Sequence, residues 1–391
     1  MNADANPTRR LKIAVLNRSF VATGGGAERY SIALVEHLAE RHEIHVYAQH
    51  IDHHWPGVTY HKLWTPLTRP RWINQHWFAL TSWWATRKGF DVVHSHENTW
   101  HGQVQTVHVL PVKYTLFQGR MGWHLALRWL KVVTSPRLLA YLLLEIKRYA
   151  YAKNRRVVAT SPSLRYIMEQ TFPATAPMLE VLTPGVNAIA GIPSPQARTA
   201  ARKSLGLPEQ GRCVLFVGND YRKKGLDALL KALQQLPADI YLAVVGNGAH
   251  IPPFRTVAES SGLKDRVFFL GSLRDVEQAY IAADCLAHPT LEDTFAMVVL
   301  EAMSHGIPVV VSGERHCGIS SLLRDNVDAL ILEDPTDHAV LAQFLRRLLS
   351  HRSLYESLSR SGTAFAAVNQ WSRIALLQEK IYESTLAVKF Q

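Results

Sequence analysis

The stretch from His288 to Ser312, HPTLEDTFAMVVLEAMSHGIPVVVS, reads as a strand end, a loop, a helix and a following strand, the repeating unit of parallel α/β sheets. It also holds two acids eight residues apart: Asp293 in the predicted loop and Glu301 about two turns into the predicted helix. At the rise of an α-helix they stand about 12 Å apart along its axis. The amides of Phe295, Ala296 and Met297 lie between them, at the positive end of the helix dipole. Such an arrangement suits an elongated ligand with hydroxyls at both ends and negative charge in the middle. Acids at a helix start also complement the dipole without any ligand, so the rest of the chain has to decide.

Outward from this stretch, short apolar runs alternate with helical patterns along the whole chain, which is the mark of parallel α/β architecture. The first half offers LKIAVLN (11–17), EIHVYAQ (43–49), DVVHSH (91–96), QTVHV (105–109), RVVATS (156–161) and LEVLTP (179–184). The second offers CVLFVG (213–218), IYLAVVG (240–246), RVFFLG (266–271), DCLAHP (284–289), PVVVS (308–312) and ALILE (329–333). Between them AIAGIPSPQARTAARKSLGLPEQG is rich in Pro, Gly and Ala and reads as a connection followed by one short helix. The boundary is placed near residue 190, giving two Rossmann-like parallel-sheet domains, 1–190 and 191–370, facing each other across a cleft. The last helix, within 371–391, is amphipathic with no strand after it and is free to pack back on the first domain.

A chain of 391 residues with 47% hydrophobic content is long enough for two such cores. The net charge is +11, and all of the excess falls in residues 1–190, with 22 Lys+Arg against 11 Asp+Glu, whereas 191–391 carry 21 against 21. Cys213, Cys285 and Cys317 are too few and scattered for a disulfide framework or a zinc site. MNADANPTRR lacks the apolar core of a signal peptide, and no run reaches the roughly 20 apolar residues of a spanning helix. A cytoplasmic location is expected, with contact to the inner membrane only as a peripheral protein.

Two loops have the composition of phosphate sites. Gly24, Gly25 and Gly26 follow the first strand and open an amphipathic helix, where backbone amides can approach an anion. In the second half CVLFVG runs into NDYRKKGLDALLKAL, which places Arg222, Lys223 and Lys224 at the strand edge where open α/β sheets bind ligands. Cations there can neutralise a diphosphate. Neither loop is G-x-G-x-x-G.

GGGAER, VGNDYRKKG, VVGNG, RVFFLG, AADCLAHP and EDTFAMVVLEAMSHGIPVV occur in the order seen in glycosyltransferase family 4, retaining enzymes of the GT-B fold, and the chain resembles that family over nearly its whole length. VGNDYRKKGLD and HPTLEDTFAMVVLEA look most like the lipopolysaccharide core glucosyltransferase I branch. The resemblance implies transfer of a hexose from a nucleotide-diphosphate sugar, a UDP-sugar being expected, to a cell-envelope glycan or lipid-linked acceptor such as lipopolysaccharide core or O-antigen. Its two-acid motif falls on Asp293, for the donor sugar, and Glu301, for the ribose. Relatives normally carry Glu at the first position, so the shorter Asp293 implies either a closer sugar or a share taken by Glu292. The phosphate pair of the family is Arg and Lys five apart; Lys224 matches the Lys, Asn219 stands at the Arg position, and Lys223 is the candidate substitute. Gly25 and Gly26 match the loop that approaches the diphosphate, and His108 a histidine beside the transferred sugar. His108, Lys224 and Asp293 are thus the expected catalytic residues. The chain contains no Asp-x-Asp motif, and no metal or cofactor is expected. No nucleophile is assigned; a front-face route through an oxocarbenium-like state is implied.

Residues 113–156 carry ten Lys+Arg and one acid, Glu145, interleaved with Trp123, Trp129 and many leucines. Lys113, Arg120, Trp123, Arg128, Trp129 and Lys131 are the candidate contacts to an anionic membrane surface, and the alternative is a solvated basic face. Three rival functions differ in their signatures. A nucleic-acid-binding protein fits the charge but shows no recognised module, so no nucleic-acid partner is expected. A dinucleotide oxidoreductase lacks its fingerprint after either first strand. A GT-B nucleotide-sugar epimerase shares the fold and separates only by its product.

Overall fold

The computed structural model describes residues 9–22, 24–187, 192–273 and 275–387. Residue 190, where the sequence places the boundary, lies outside them. Two compact units emerge: the first takes the chain up to Thr160, Leu164–Leu182 and the chain from Trp371 onward, and the second takes Ser161–Ser163 and Thr183–Gln370.

In the first unit β1 (Lys12–Leu16), β3 (Glu43–Ala48), β5 (Val58–Lys62), β6 (Val92–Ser95), β7 (Val104–Val107), β8 (Arg156–Ala159) and β9 (Leu179–Val181) form a parallel sheet in the order β5-β3-β1-β6-β7-β8-β9. A small pair, β2 (Ser19–Phe20) and β4 (His50–Ile51), sits beside it in sequence. The sequence reading missed β5. Its residues VTYHK alternate but are half-exposed, because an edge strand has a neighbour on one side only and needs no continuous apolar run. The helix Trp371–Ala387 packs in this unit against the helix Gly26–Ala39, with Tyr382 fully buried.

The second unit contains β10 (Arg212–Val217), β11 (Ile240–Val245), β12 (Val267–Gly271), β13 (Cys285–His288), β14 (Val309–Ser312) and β15 (Leu330–Leu332), all parallel, in the order β12-β11-β10-β13-β14-β15. Relabelled from its own first strand this is 3-2-1-4-5-6, the Rossmann order, whose reversal falls between the first and fourth strands. Helices cover both faces, so β11 (IYLAVV) is buried at every residue and reads as an apolar run rather than an alternation. One face packs Phe216, Leu229, Leu233 and Leu345, and the other Leu215, Leu286, Val299 and Met303. The short helix predicted after the connection is Pro195–Ser204, whose Ser194 side chain accepts from the Ala197 amide at 3.1 Å, a normal N-cap with Pro at the first turn.

Candidate active site

The reversal point of the second sheet lies between β10 and β13, and the loops leaving these two strands carry the cation and the acid that the sequence singles out. After β10 the chain makes a tight turn over Gly218–Gly225. Gly225 has φ +81, and a side chain there would run into the Pro289 carbonyl. Only glycine lets the two loops approach this closely. Backbone bonds then join them, since the Leu291 amide donates to the Lys223 carbonyl at 2.9 Å. A Cβ at Gly218 would stand 2.8 Å from Lys224 Cγ, so the bare glycine also gives the lysine stem its path across the strand end.

The result is a closed set of contacts around Asp293. Lys224 Nζ donates to Asp293 Oδ2 at 2.6 Å and to the Glu292 carbonyl at 3.0 Å. His288 Nε2, at the end of β13, donates to the same Oδ2 at 3.3 Å. The Phe295 and Ala296 amides donate to Oδ1 at 3.2 and 2.8 Å. An ionised carboxylate has about four acceptor positions, and four donors fill them. Burial pushes the Asp293 carboxyl upward, but the bond from His288 and the charge of Lys224 outweigh it and hold it well below the ordinary carboxylate range. Burial lowers the His288 imidazole against the pull of Asp293, so His288 serves as a neutral donor. An ammonium has three N–H groups; two of those on Lys224 face inward, which leaves one for a ligand.

Two sequence expectations are corrected here. The helix begins only at Met297, after Ala296 in the left-handed region at φ 73 and ψ 72. Glu301 is therefore its fifth residue, about one turn in rather than two, and about 6 Å from Met297 along the axis. The second correction concerns the amides. Those of Phe295 and Ala296, expected to face an anion, are spent on Asp293, which leaves the Met297 amide as the remaining member of that trio. A non-glycine residue at positive φ costs on the order of 1 kcal/mol or more and persists only where its surroundings hold it. Asp293 is what holds it here.

The other expected residues distribute as follows. Lys223 pairs with Glu292 at 2.6 Å on the open side, Asn219 is exposed in the turn, and Arg222 points away toward Asp227 at 3.8 Å. Glu301 accepts from the Tyr280 hydroxyl at 2.6 Å. Gly25 caps the helix Gly26–Ala39 in extended backbone, with the Glu28 carboxylate 3.1 Å from where its Cβ would stand. His108 lies just past β7 rather than on it, its Nε2 bonded to His96 Nδ1 at 2.9 Å. Burial, and then the Arg148 charge, push it down to about 3, so it is a neutral imidazole at any ordinary pH.

Sequence reasoning missed His288 and Tyr280. His288 had a signal, being the one polar residue closing the run CLAH, while Tyr280 sits in an unremarked helix, Glu277–Ala282.

Of the six basic and aromatic candidates at 113–131, Lys113 turns inward to the Thr171 carbonyl at 2.8 Å and Arg120 caps the Leu116 carbonyl. Trp123, Arg128, Trp129 and Lys131 lie on the helix Gly122–Val133, of which only Val132 is buried. Trp123 and Leu130 are 66% and 59% exposed, and Trp129 stacks on Phe117 at 4.6 Å. Among the described residues no helix is long and apolar enough to cross a membrane.

Two parallel Rossmann-type sheets, with a lysine and a half-buried acid at the reversal point of the second, define a GT-B protein. Residues 24–188 match the family described as Glycosyltransferase Family 4, and residues 197–365 match Glycosyl transferases group 1. The lipopolysaccharide glucosyltransferase WaaG of Escherichia coli (strain K12) is 30% identical over 44% of this chain and 46% of its own length. The chain spans about half the length of the first curated relatives it matches. Among solved structures, WaaG, described as a glycosyltransferase involved in lipopolysaccharide biosynthesis, superposes with TM-score 0.79 at 20% identity, covering 95% of this chain and 98% of that one. Anabaena HepE in complex with UDP and glucose gives 0.76 at 18% identity, covering 96% and 100%. The chain belongs to the glycosyltransferases of GT-B fold and resembles the lipopolysaccharide core glucosyltransferase branch.

Proposed function

We propose that the protein transfers a hexose from a nucleotide-diphosphate sugar, a UDP-sugar by preference, to a cell-envelope glycan or lipid-linked acceptor, with retention and without a metal. The observation that carries the reading is the Lys224–Asp293–His288 set at the sheet reversal. Nucleotide-sugar binding by HepE, solved with UDP-glucose, supports the donor class.

In this reading the anomeric C–O bond breaks with its electron pair passing to the diphosphate. The remaining N–H of Lys224, the ammonium of Lys223 and the Met297 amide receive that charge as it grows. Preorganised donors of this kind act most strongly where charge develops, not in the ground state. Asp293, saturated by its four donors, keeps Lys224 aimed, and Glu292, paired with Lys223, faces the sugar. Glu301 takes the ribose. By the family resemblance Gly25, Gly26 and His108 are also donor-side residues, His108 as a neutral imidazole. The acceptor hydroxyl adds to the anomeric carbon on the face the diphosphate leaves, and its proton goes to the departing phosphate oxygen.

The helix Gly122–Val133 supplies a place for a lipid-linked acceptor, its exposed Trp123, Leu127 and Leu130 and the preceding Met121 interleaved with Arg128 and Lys131. Residues 53–90 continue the character, with six tryptophans, five Lys+Arg and no acid. Such faces bind anionic interfaces through buried rings and charge together. The test of function is thermal shift against UDP-, GDP- and ADP-glucose, then transfer of labelled hexose to lipopolysaccharide core. Stabilisation by one nucleotide sugar with a labelled retained-anomer product supports the proposal. Stabilisation by none refutes it, and conversion of the sugar without transfer favours the epimerase.

A further inference from the structure

On the donor reading above, we propose that Lys223 and Glu292 form an exchangeable ion pair. Glu292 holds the lysine until a diphosphate takes its place, and the carboxylate so released is the group that selects a hexose-bearing diphosphate over the bare nucleotide.

Two adjacent lysines of the turn after β10 face two adjacent acids of the loop after β13, and the two pairs are held differently. In the inner pair the Lys224 and Asp293 side chains are 20% and 18% exposed, and Asp293 also takes His288 and the Phe295 and Ala296 amides. Removing Lys224 from it leaves a half-buried carboxylate short of its charged partner, so this pair stays closed. In the outer pair Lys223 Nζ meets Glu292 Oε1 at 2.6 Å, but the side chains are 47% and 37% exposed. A pair so solvated opens at little cost. Both ammoniums rest on one residue, Lys224 on the Glu292 carbonyl at 3.0 Å and Lys223 on its carboxylate. A diphosphate that meets Lys224 therefore arrives beside Lys223 as well. Arg222 leans toward Asp227 instead and Asn219 carries no charge, which makes Lys223 the second cation at this spot.

The backbones of the outer pair are pinned, and only the side-chain ends exchange. The Lys223 carbonyl accepts from the Leu291 amide at 2.9 Å and the Thr290 hydroxyl at 3.3 Å, and its amide donates to Asp220 Oδ1 at 3.1 Å. The Glu292 amide donates to Thr290 Oγ1 at 3.3 Å, and its carbonyl is held by Lys224. Beyond these anchors each side chain has several rotamers. A lysine is a point charge on a flexible stem, with no two-pronged geometry to lose when it changes partner. A diphosphate offers it more charge and more acceptor oxygens than one carboxylate. The exchange leaves the Glu292 carboxylate beside the phosphate, on the side where the hexose is placed, and an ionised acceptor binds hydroxyls about twice as strongly as a neutral one.

The experiment is calorimetric titration of UDP and of UDP-glucose into the full chain, as wild type, Glu292→Gln, Lys223→Met and the double variant, with a melting curve of each. Glu292→Gln is expected to bind UDP about two- to fivefold more tightly, because an exposed pair no longer has to open. It is expected to bind UDP-glucose no more tightly than wild type, since the neutral amide loses about the same factor at the hydroxyls. In the Lys223→Met background, Glu292→Gln is expected to change UDP affinity by no more than about 1.5-fold. Equal strengthening of UDP binding in both backgrounds is plain charge repulsion and overturns the exchange, as does unchanged or weaker UDP binding by Glu292→Gln. A gain for UDP-glucose that matches the gain for UDP overturns the role in selecting the sugar. These results leave the donor site standing, whereas failure of wild type to bind UDP removes the donor reading and this inference with it.

Discussion

Acid should unfold the first unit well before carboxylate protonation begins, because its interior holds histidines that cannot be charged where they sit. Burial, followed by neighbouring charge, lowers His94 to about 3, His108 to about 3 and His101 to about 4, and His96 falls well below its ordinary value. In the unfolded chain each titrates near 6.5. Below that pH the unfolded state binds protons that the folded state refuses, so stability falls as pH falls, from 6.5 down to each folded value. At pH 5 each fully depressed histidine costs on the order of 2 kcal/mol, and His94, His101 and His108 together on the order of 6. A domain is stable by about 5–15 kcal/mol, so the loss is decisive. All ten tryptophans belong to this unit, which makes intrinsic fluorescence its specific reporter. Melts followed by tryptophan emission at pH 7.5, 6.5, 5.5 and 5.0 should show a midpoint dropping by well over 10 °C, with most of the drop below pH 6.5. A midpoint constant to within 2 or 3 °C across that range would mean that these imidazoles are solvated or already protonated, and the buried neutral cluster would be refuted.

Three further outcomes follow from the site. Lys224→Ala should cut kcat by on the order of 10²–10³, the effect of removing one preorganised donor at a developing anion; steady-state transfer with an unchanged far-ultraviolet spectrum checks it, and near wild-type turnover removes the phosphate assignment. Asp293→Asn leaves Lys224 without its half-buried counter-charge and should destabilise the second unit by about 1.5–3 kcal/mol while lowering kcat/KM, seen by urea titration beside the assay. Gly225→Ala forces a Cβ into the Pro289 carbonyl at positive φ and should cost more than about 2 kcal/mol, whereas Gly248→Ala, which meets nothing within 4 Å, should not.

How the site became visible differs from residue to residue. Lys224 and Asp293 could be named from the chain because each lies in the loop after an apolar run, and strand ends are easy to find; Glu301 could be named by its spacing from Asp293. Their roles were less legible. The expected amide cradle put Glu301 about two turns into the helix, but the left-handed Ala296 delays the helix to Met297 and turns two amides onto Asp293. No pattern of polarity announces a positive φ at alanine. Lys113 shows the same limit from the other side: its charge placed it on a membrane face, yet its ammonium is satisfied by the Thr171 carbonyl and lies over Phe172 at 4.9 Å.

The amino-acid order alone determined two parallel sheets, the lysines in the turn after CVLFVG and the acid pair, because covered strands must be continuously apolar and the turns that follow them are free to carry polar groups. Only the tertiary structure decided that Asp293 is shared among four donors, that Glu301 accepts from Tyr280, and that His96 and His108 stack and bond to each other. Those contacts join residues separated by as few as two and as many as sixty-nine positions. Sequence fixes what such groups can donate or accept, but the packing of strands and helices sets which of them come within 3 Å.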